Sequence, residues 1–252
     1  MSDERSRQRI LDILQRVVTV DGQPSHRQRI EIIQRILEAE TDDFLELARL
    51  AGLSPLESFA EKNLTGICLY GSDLSNADLN RAVLITADLR TADLSNANFS
   101  YANLTNAYLN QAKLFSANFN HAVLTHAAFG GAILTNARFN QANLMGADLS
   151  DANLYAADLR YANMTGAAFC RSGLEEANLN YAVLRRANLT SANLSGATLY
   201  GTNLCGACLH FVNFYDTNLG GIEVEQARFR SNPGLSREVK RDLARRGAIF
   251  ED

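Results

Sequence analysis

Cys205-Gly206-Ala207-Cys208 puts two thiols three positions apart, and His210 follows two residues later. Thiolates at that spacing serve two chemistries, ligation of zinc and dithiol–disulfide exchange. A closed zinc site needs two more good ligands, and the chain has no second CxxC. A redox pair needs the N-terminus of a helix beside it. The two cysteines flank one turn, so their Cα atoms fall within the ~7 Å that a disulfide allows. Inert thiols, a strap-like disulfide between Cys205 and Cys208, and a metal or redox site are the alternatives at this point. Aspartate is the second candidate: Asp73, Asp78, Asp88, Asp93, Asp148 and Asp158 each stand immediately before a leucine. Acid–base work needs such groups converging on a pocket. The same slot elsewhere holds Asn, which cannot exchange a proton. Hydrogen bonding to neighbouring backbone suits both residue types, so no catalytic role is assigned. His121 and His126 are read as solvated side chains and not as ligands.

The elements that must position these groups follow from a period of five. From Leu64 to Phe229 every fifth residue is large and apolar, 34 positions without a slip, 25 of them Leu and seven Phe, with Met164 and Val224 completing the set. Two residues earlier stands Ala in 26 of the 34. On an α-helix, five residues turn the leucines by about 140°, so no face would be apolar. On a continuous strand, a step of five sends successive leucines to opposite sides. The inward positions are spaced two, then three. Two is a strand step, and three is a strand step plus the extra residue that a corner requires. Each pentad is therefore a short extended segment followed by a turn, and successive coils pair as parallel ladders in a β-solenoid. Ala projects inward near the corner, and Leu or Phe fills the centre. Gly or Asn often ends the pentad, as at Gly66, Asn76, Asn106, Gly146 and Gly206, where positive φ suits a type II turn. Tyr101, His121, Tyr161 and Arg186 in the same slot predict corners of another turn type.

The strings SDLSNADLNRAVLITADLRTADLSNANF and GADLSDANLYAADLRYANM resemble the A(D/N)LXX motif of the pentapeptide repeat family. The resemblance covers about two-thirds of the chain. It implies an all-β solenoid, a right-handed quadrilateral parallel β-helix with four pentads per coil, hence about 8.5 coils from 34 pentads. At ~4.8 Å per coil the tower is roughly 40 Å tall. Phe99, Phe119 and Phe139, spaced by 20 residues, would then stack on one side. Cys68 lies seven coils from Cys208, too far to pair with it.

The domain organisation expected is a helical N-terminal module over residues 1–62, the β-helix over 63–230 and a helical C-terminal cap over 231–252. Four short helices are expected in the first. Ile10, Leu11, Leu14, Val17 and Val18 form an apolar stripe before the Asp21-Gly22 turn. Ser25 and Gln28 form a capping box, Thr41-Asp42-Asp43 marks a third start, and Ser54-Pro55 a fourth. In the cap, Ser236 starts a helix carrying Val239 and Leu243, and Gly247 ends it. Both ends of a solenoid expose apolar interior and unpaired edges, so both need covering. Four helices exceed what a plug requires, and the module 1–62 is a candidate to bind a protein partner. A monomer or an end-to-end dimer is expected.

Composition narrows the function. The chain has 252 residues, 46% hydrophobic, with 24 basic and 28 acidic residues for a net charge of −4. Nothing there points to nucleic acid or an anionic membrane. The charged start MSDERSRQRI has no apolar h-region, and no run of about 18 apolar residues exists. A cytoplasmic location, no membrane and no cofactor are expected. The resemblance implies a second class, since some pentapeptide repeat proteins mimic B-form DNA and engage DNA gyrase. From Leu64 to Phe229 there are 12 acidic and 9 basic residues, a net of −3. Duplex DNA carries one charge per about 1.7 Å, on the order of two dozen over roughly 40 Å. The reading favoured is a non-catalytic protein–protein interaction scaffold, ahead of the DNA mimic and of an enzyme. Its candidate patch is His210, Phe211 and Tyr215, which follow central residues and point outward, with Tyr155 and Phe115 below in the column of Tyr215. Leu235, Val239, Leu243 and Ile249 also need burial, so the C-terminal segment is expected to fold back over Phe211 and Tyr215.

Overall fold

The computed structural model describes residues 44–50 and 59–252. The residue before each central apolar side chain forms a parallel bridge with the residue 20 positions on, from Asn63↔Val83 to Asn203↔Glu223 with one constant offset. Twenty residues are four pentads, so the chain winds as a β-helix with four walls and four corners per coil. The first wall has Leu64 and every twentieth residue after it at its centre. The second starts at Leu69, the third at Leu74 and the fourth at Leu79.

One pentad, 97–101, shows why the sequence repeats as it does. Ala97 N–H closes the preceding turn on Leu94 O at 3.0 Å. Asn98 N–H donates down to Ala77 O at 2.9 Å, and Phe99 N–H donates up to Asn118 O at 2.7 Å. Tyr101 N–H donates up to Asn120 O at 3.0 Å. That leaves the N–H of Ser100 without a backbone acceptor, and Asn98 Oδ1 accepts it at 3.2 Å. A backbone donor left unpaired is costly, so the slot before the central residue selects Asn or Asp. Asp73, Asp78, Asp88, Asp93, Asp148 and Asp158 all accept the N–H two residues on in the same way. The interior is closed by the central residues and the alanines, which are buried except for the half-buried Leu219 of the last coil. Phe99, Phe119 and Phe139 stack at 4.8 and 4.9 Å with near-parallel planes. Where Ser172 and Thr202 replace Ala, their hydroxyls donate to Phe169 O and Leu179 O, which keeps a buried polar group satisfied.

The corners correct one expectation. Tyr101, His121, Tyr161 and Arg186 do not turn differently from glycine: their φ values are 60°, 60°, 58° and 55°. The ladder bonds on both sides of the corner fix the backbone in the left-handed region whatever the side chain, and the residue carries the strain.

Near the N-terminal end, α1 (Phe44–Leu50) follows the acidic start at Asp42-Asp43. Its Leu45, Leu47 and Ala48 share one apolar core with Phe59 and Leu64. The starts expected at Ser25 and Ser54, and the stripe from Ile10 to Val18, lie outside the described residues. At the C-terminal end, β1 (Cys208–His210) and β2 (Arg228–Arg230) pair in parallel, and β3 (Ile249–Phe250) adds to β2. Between them α2 (Arg237–Arg245) starts at Ser236, whose hydroxyl accepts from Val239 N–H at 3.2 Å. Gly247 follows its last turn with a φ of 91°, as the sequence suggested. Leu243 is buried, and Leu235, Val239 and Phe250 pack on the core. Pro233 O receives the N–H of Phe214 at 2.9 Å, which covers the third wall, and β3 covers the second. Among the described residues the N–H groups of Leu219, Gly221 and Val224 have no hydrogen-bond partner, while Gln226 N–H donates to Gly247 O at 2.8 Å, so the edge stays open above the fourth wall and in part above the first.

Candidate interaction surface

Each pentad turns three residues outward: the one before the central residue and the two after it. Sorting their charges by wall separates the tower's sides. On the first wall Arg185 and Arg186 offset Glu223 and Glu225. On the second Arg90, Arg171, Arg228 and Arg230 stand against Asp88, Asp148 and Asp151, a net of +1. The fourth has Arg81, Arg138 and Arg160 against Asp78 and Asp158, a net of +1. The third has Asp73, Asp93, Glu175, Glu176 and Asp216 against Lys113 alone, a net of −4. The ion pairs keep to this pattern. Arg90 grips Asp88 at 2.7 Å, Arg160 grips Asp158 at 2.8 Å and Arg171 grips Asp151 at 2.6 Å. The guanidinium beside each holds the Asp88 and Asp151 carboxyls below the usual range. At Asp158 burial is the largest influence and pushes upward, but the side-chain and backbone hydrogen bonds from Arg160 and the charges of Arg160 and Arg138 together hold the carboxyl below its usual range. On the third wall the carboxyls are held low by other means: Asp73 by the N–H of Ser75, Asp93 first by the Ser95 hydroxyl.

The aromatic patch stands where its wall positions put it, and the expected cover is absent. Phe211 is 49% exposed and Tyr215 58% exposed. The C-terminal segment instead lies on the end of the tower, where Phe214 and Leu219 border it around a cleft of about 390 Å³ with Leu235, Val239 and Leu243. The end of a solenoid leaves more interior surface unmet than two rings on a wall, and the segment goes there. Ile249 points partly to solvent as β3 pairs. His210 is the one member that is covered. Its Nε2 is buried 3.0 Å from Glu251 Oε2, close enough for an ion pair but off the axis of a hydrogen bond. It belongs to the attachment of the C-terminal tail and leaves the patch. Phe115 and Tyr155 are exposed below Tyr215, as the column requires.

A second aromatic feature lies along the corners, and the sequence reasoning missed it. Tyr101 and His121 stack at 4.7 Å along one corner, Tyr161 and Tyr181 at 5.2 Å, and Tyr200 meets Tyr181 edge-on. The 20-residue spacing of aromatics in the last slot of the pentad is the signal that marks it. Arg81 lies over the Tyr101 ring at 5.7 Å and extends the stack downward.

Cys205 and Cys208 are free in this structure, so the bridge that their spacing allows is not made. Cys208 Sγ lies 3.4 Å from Thr190 Oγ1 one coil below. Among the described residues no group of His, Cys, Asp and Glu is arranged to hold a metal ion, and no helix is long and apolar enough to cross a membrane.

Comparison with known proteins agrees with this architecture. A family model described as pentapeptide repeats matches in eight overlapping copies that together run from residue 63 to residue 221. No curated protein matches. Among solved structures, HetL, a pentapeptide repeat protein involved in heterocyst differentiation regulation from the cyanobacterium Nostoc sp. strain PCC 7120, is 28% identical, with 68% of this chain and 84% of that one covered and a TM-score of 0.38. QnrB1, a plasmid-mediated fluoroquinolone resistance protein, is 20% identical over 75% of this chain and 89% of its own, with a TM-score of 0.50. Rfr23 from the cyanobacterium Cyanothece 51142 is 38% identical over 36% of this chain and 62% of its own, with a TM-score of 0.23.

Proposed function

The chain belongs to the pentapeptide repeat family, and from that premise we propose that it is a non-catalytic, cytoplasmic protein–protein interaction scaffold. On this reading it is a right-handed tower of about 8.5 coils, with helical segments covering its two ends. The observation that carries the proposal is the pair Phe211 and Tyr215, two large rings left 49% and 58% exposed at the corner of the second wall and on the third wall beside it, on a backbone locked by ladder bonds. Exposed aromatics on a rigid support lose little entropy on binding and are typical interface anchors. The module 1–62 is a second contact region on the same scaffold.

The test is partner capture by the full chain and by its Phe211→Ala and Tyr215→Ala variants. Neither ring supports the interior, so both variants should melt with the wild type while capturing less partner. Equal capture by all three chains would remove the patch from the reading, and residues 1–62 used alone as bait would then show whether the N-terminal module does the binding.

The DNA-mimic alternative is weaker. Even the third wall, the most acidic, carries a net of only −4, against the two dozen or so charges of a duplex of the same length. Inhibition of gyrase supercoiling that disappears when these acids are neutralised would restore it.

A further inference from the structure

We propose that the third wall docks a protein surface that is apolar at its centre and carries lysines or arginines on both sides of that centre along the tower axis. The proposal rests on the scaffold reading and names the kind of partner it takes. Along this wall the residues occur in a fixed order. Asp73 and Asp93 occupy the lowest two coils. Phe115, Ile133 and Tyr155 follow on three successive coils, 46%, 45% and 47% exposed. Glu175 and Glu176 stand on the next coil and Asp216 higher still. Acid, apolar and acid therefore alternate up one flat face.

The centre is built to be bare. Asn and Asp hold most slots of the repeat, but Ile133 replaces one here, and Phe115 and Tyr155 stand where Ser and Thr are common. Gly173 takes the slot that holds Asn153 below it and Asn193 above it. The missing side chain opens a shallow depression of about 570 Å³ beside Tyr155 and Glu175. Glu175 leans across the gap, with Oε1 receiving Asn193 Nδ2 at 2.5 Å. The cations that could neutralise this wall are few. Lys113 is drawn to Asp93 at 3.4 Å, and Arg171 at the adjoining corner is held by Asp151. Glu175, Glu176 and Asp216 have no ion pair among the described residues.

The charge selects the partner's sign, and the geometry sets its spacing. Asp93 and Glu175 are four coils apart, ~19 Å at the ladder repeat. An α-helix covers that length in about 13 residues. A partner with cations at both ends of such a stretch meets carboxylates at both ends and apolar side chains between. Like charges on a wrong partner would be repelled by the same carboxylates.

The experiment titrates the full chain with a labelled 16-residue helical peptide, leucine on one face of its centre and lysine at both ends, at low salt. Two further peptides replace the terminal lysines by glutamate or the central leucines by serine. The chain is used as wild type, as the third-wall variant Asp93→Asn/Glu175→Gln/Glu176→Gln/Asp216→Asn, as Phe115→Ser/Tyr155→Ser, and as a control with equal charge change on the other walls, Asp78→Asn/Asp148→Asn/Glu223→Gln/Glu225→Gln. The expected result is saturable binding of the first peptide alone. Binding should fall at least tenfold in both third-wall variants, stay unchanged in the control, and weaken with salt. No saturable binding to the wild type would overturn the proposal. So would equal losses in the control and third-wall variants, or equal binding of the serine-centred peptide. If any of these occurs while Phe211→Ala still reduces partner capture, the third-wall proposal fails and the scaffold reading stands.

Discussion

Replacing Phe119 by Leu should cost more than the same replacement at Phe169, and the difference measures the aromatic stack. Both rings are central pentad residues, fully buried near mid-tower. Phe169 has Leu149 below it and Leu189 above it, so the register surrounds it with aliphatic side chains. Phe119 lies between Phe99 and Phe139 at 4.8 and 4.9 Å and meets Phe129 edge-on at 5.9 Å. The loss of transfer energy and the small cavity are common to both substitutions and cancel in the comparison. What remains is three aromatic pairs. At about 0.5–1 kcal/mol each, toward the low end because the ladder and not the rings sets the stacking distance, they amount to about 1.5–3 kcal/mol. Urea unfolding followed by far-UV circular dichroism is the assay, because the chain has no tryptophan. The m-values of the two variants must agree, since a solenoid can also unfold in parts. Equal destabilisation, or a larger loss at Phe169, would refute the reasoning and mean that the phenylalanines fill space without interacting.

Three further outcomes follow from the corners, the C-terminal turn and the carboxyls. Thr91 sits at a φ of 57°, a region hostile to β-branched residues, so Thr91→Asn should stabilise the tower by about 1 kcal/mol in the same urea assay. Gly234 has a φ of 89°, and a Cβ there would run into the backbone of Phe214 and Tyr215. Gly234→Ala should therefore cost more than about 1 kcal/mol and loosen the C-terminal segment, read as faster hydrogen exchange over 233–250. The Asp73, Asp88 and Asp93 carboxyls are all held below their ordinary range in the folded tower. Their contribution is present above the unfolded value of about 4 and is lost as the pH falls through the folded values. The melting temperature should drop on acidification below about pH 4, and Asp93→Asn, which keeps the acceptor for Ser95, should flatten that drop.

Much of the fold is written in the period. Spacings of two and three admit a strand step and a corner, and the inward Ala and central Leu identify the interior from the residue types alone. The Asn or Asp slot is legible too, because only backbone bonding accommodates both residues, and the accounting for the N–H groups of residues 97–101 shows why it must. The corners escape local reasoning for a physical cause. Propensity treats Tyr101 or Arg186 as poor hosts for positive φ, but a corner residue is tied by ladder bonds to coils above and below. The many pairs of the ladder outweigh a penalty of ~1–2 kcal/mol at one residue, so the corner keeps its shape and the side chain adapts, as where the rings of Tyr101 and His121 stack.

The surface is harder to read because it depends on a number that no single pentad contains. Asp93, Phe115, Ile133, Tyr155 and Glu175 look scattered in a linear sequence, and the net charge of the repeat region is nearly balanced. Only an offset of 20 residues brings them onto one side and leaves the arginines on the others. The same offset exposes the weak point in the expected cover of Phe211 and Tyr215. Leu235, Val239 and Leu243 do need burial, but sequence gives the need and not the nearest surface that meets it. The last coil ends with Leu219 and Phe214 uncovered on its upper side, and a chain that has just turned through Asn232-Pro233-Gly234 reaches that surface first. Asn232 ties the turn down by donating to Leu209 O and Val212 O. Once α2 lies across the end, its apolar residues are used, and nothing remains in the described chain to cover the wall. The exposure of Phe211 and Tyr215 is thus a consequence of how the tower is closed, and it leaves both rings free for the partner contact proposed above.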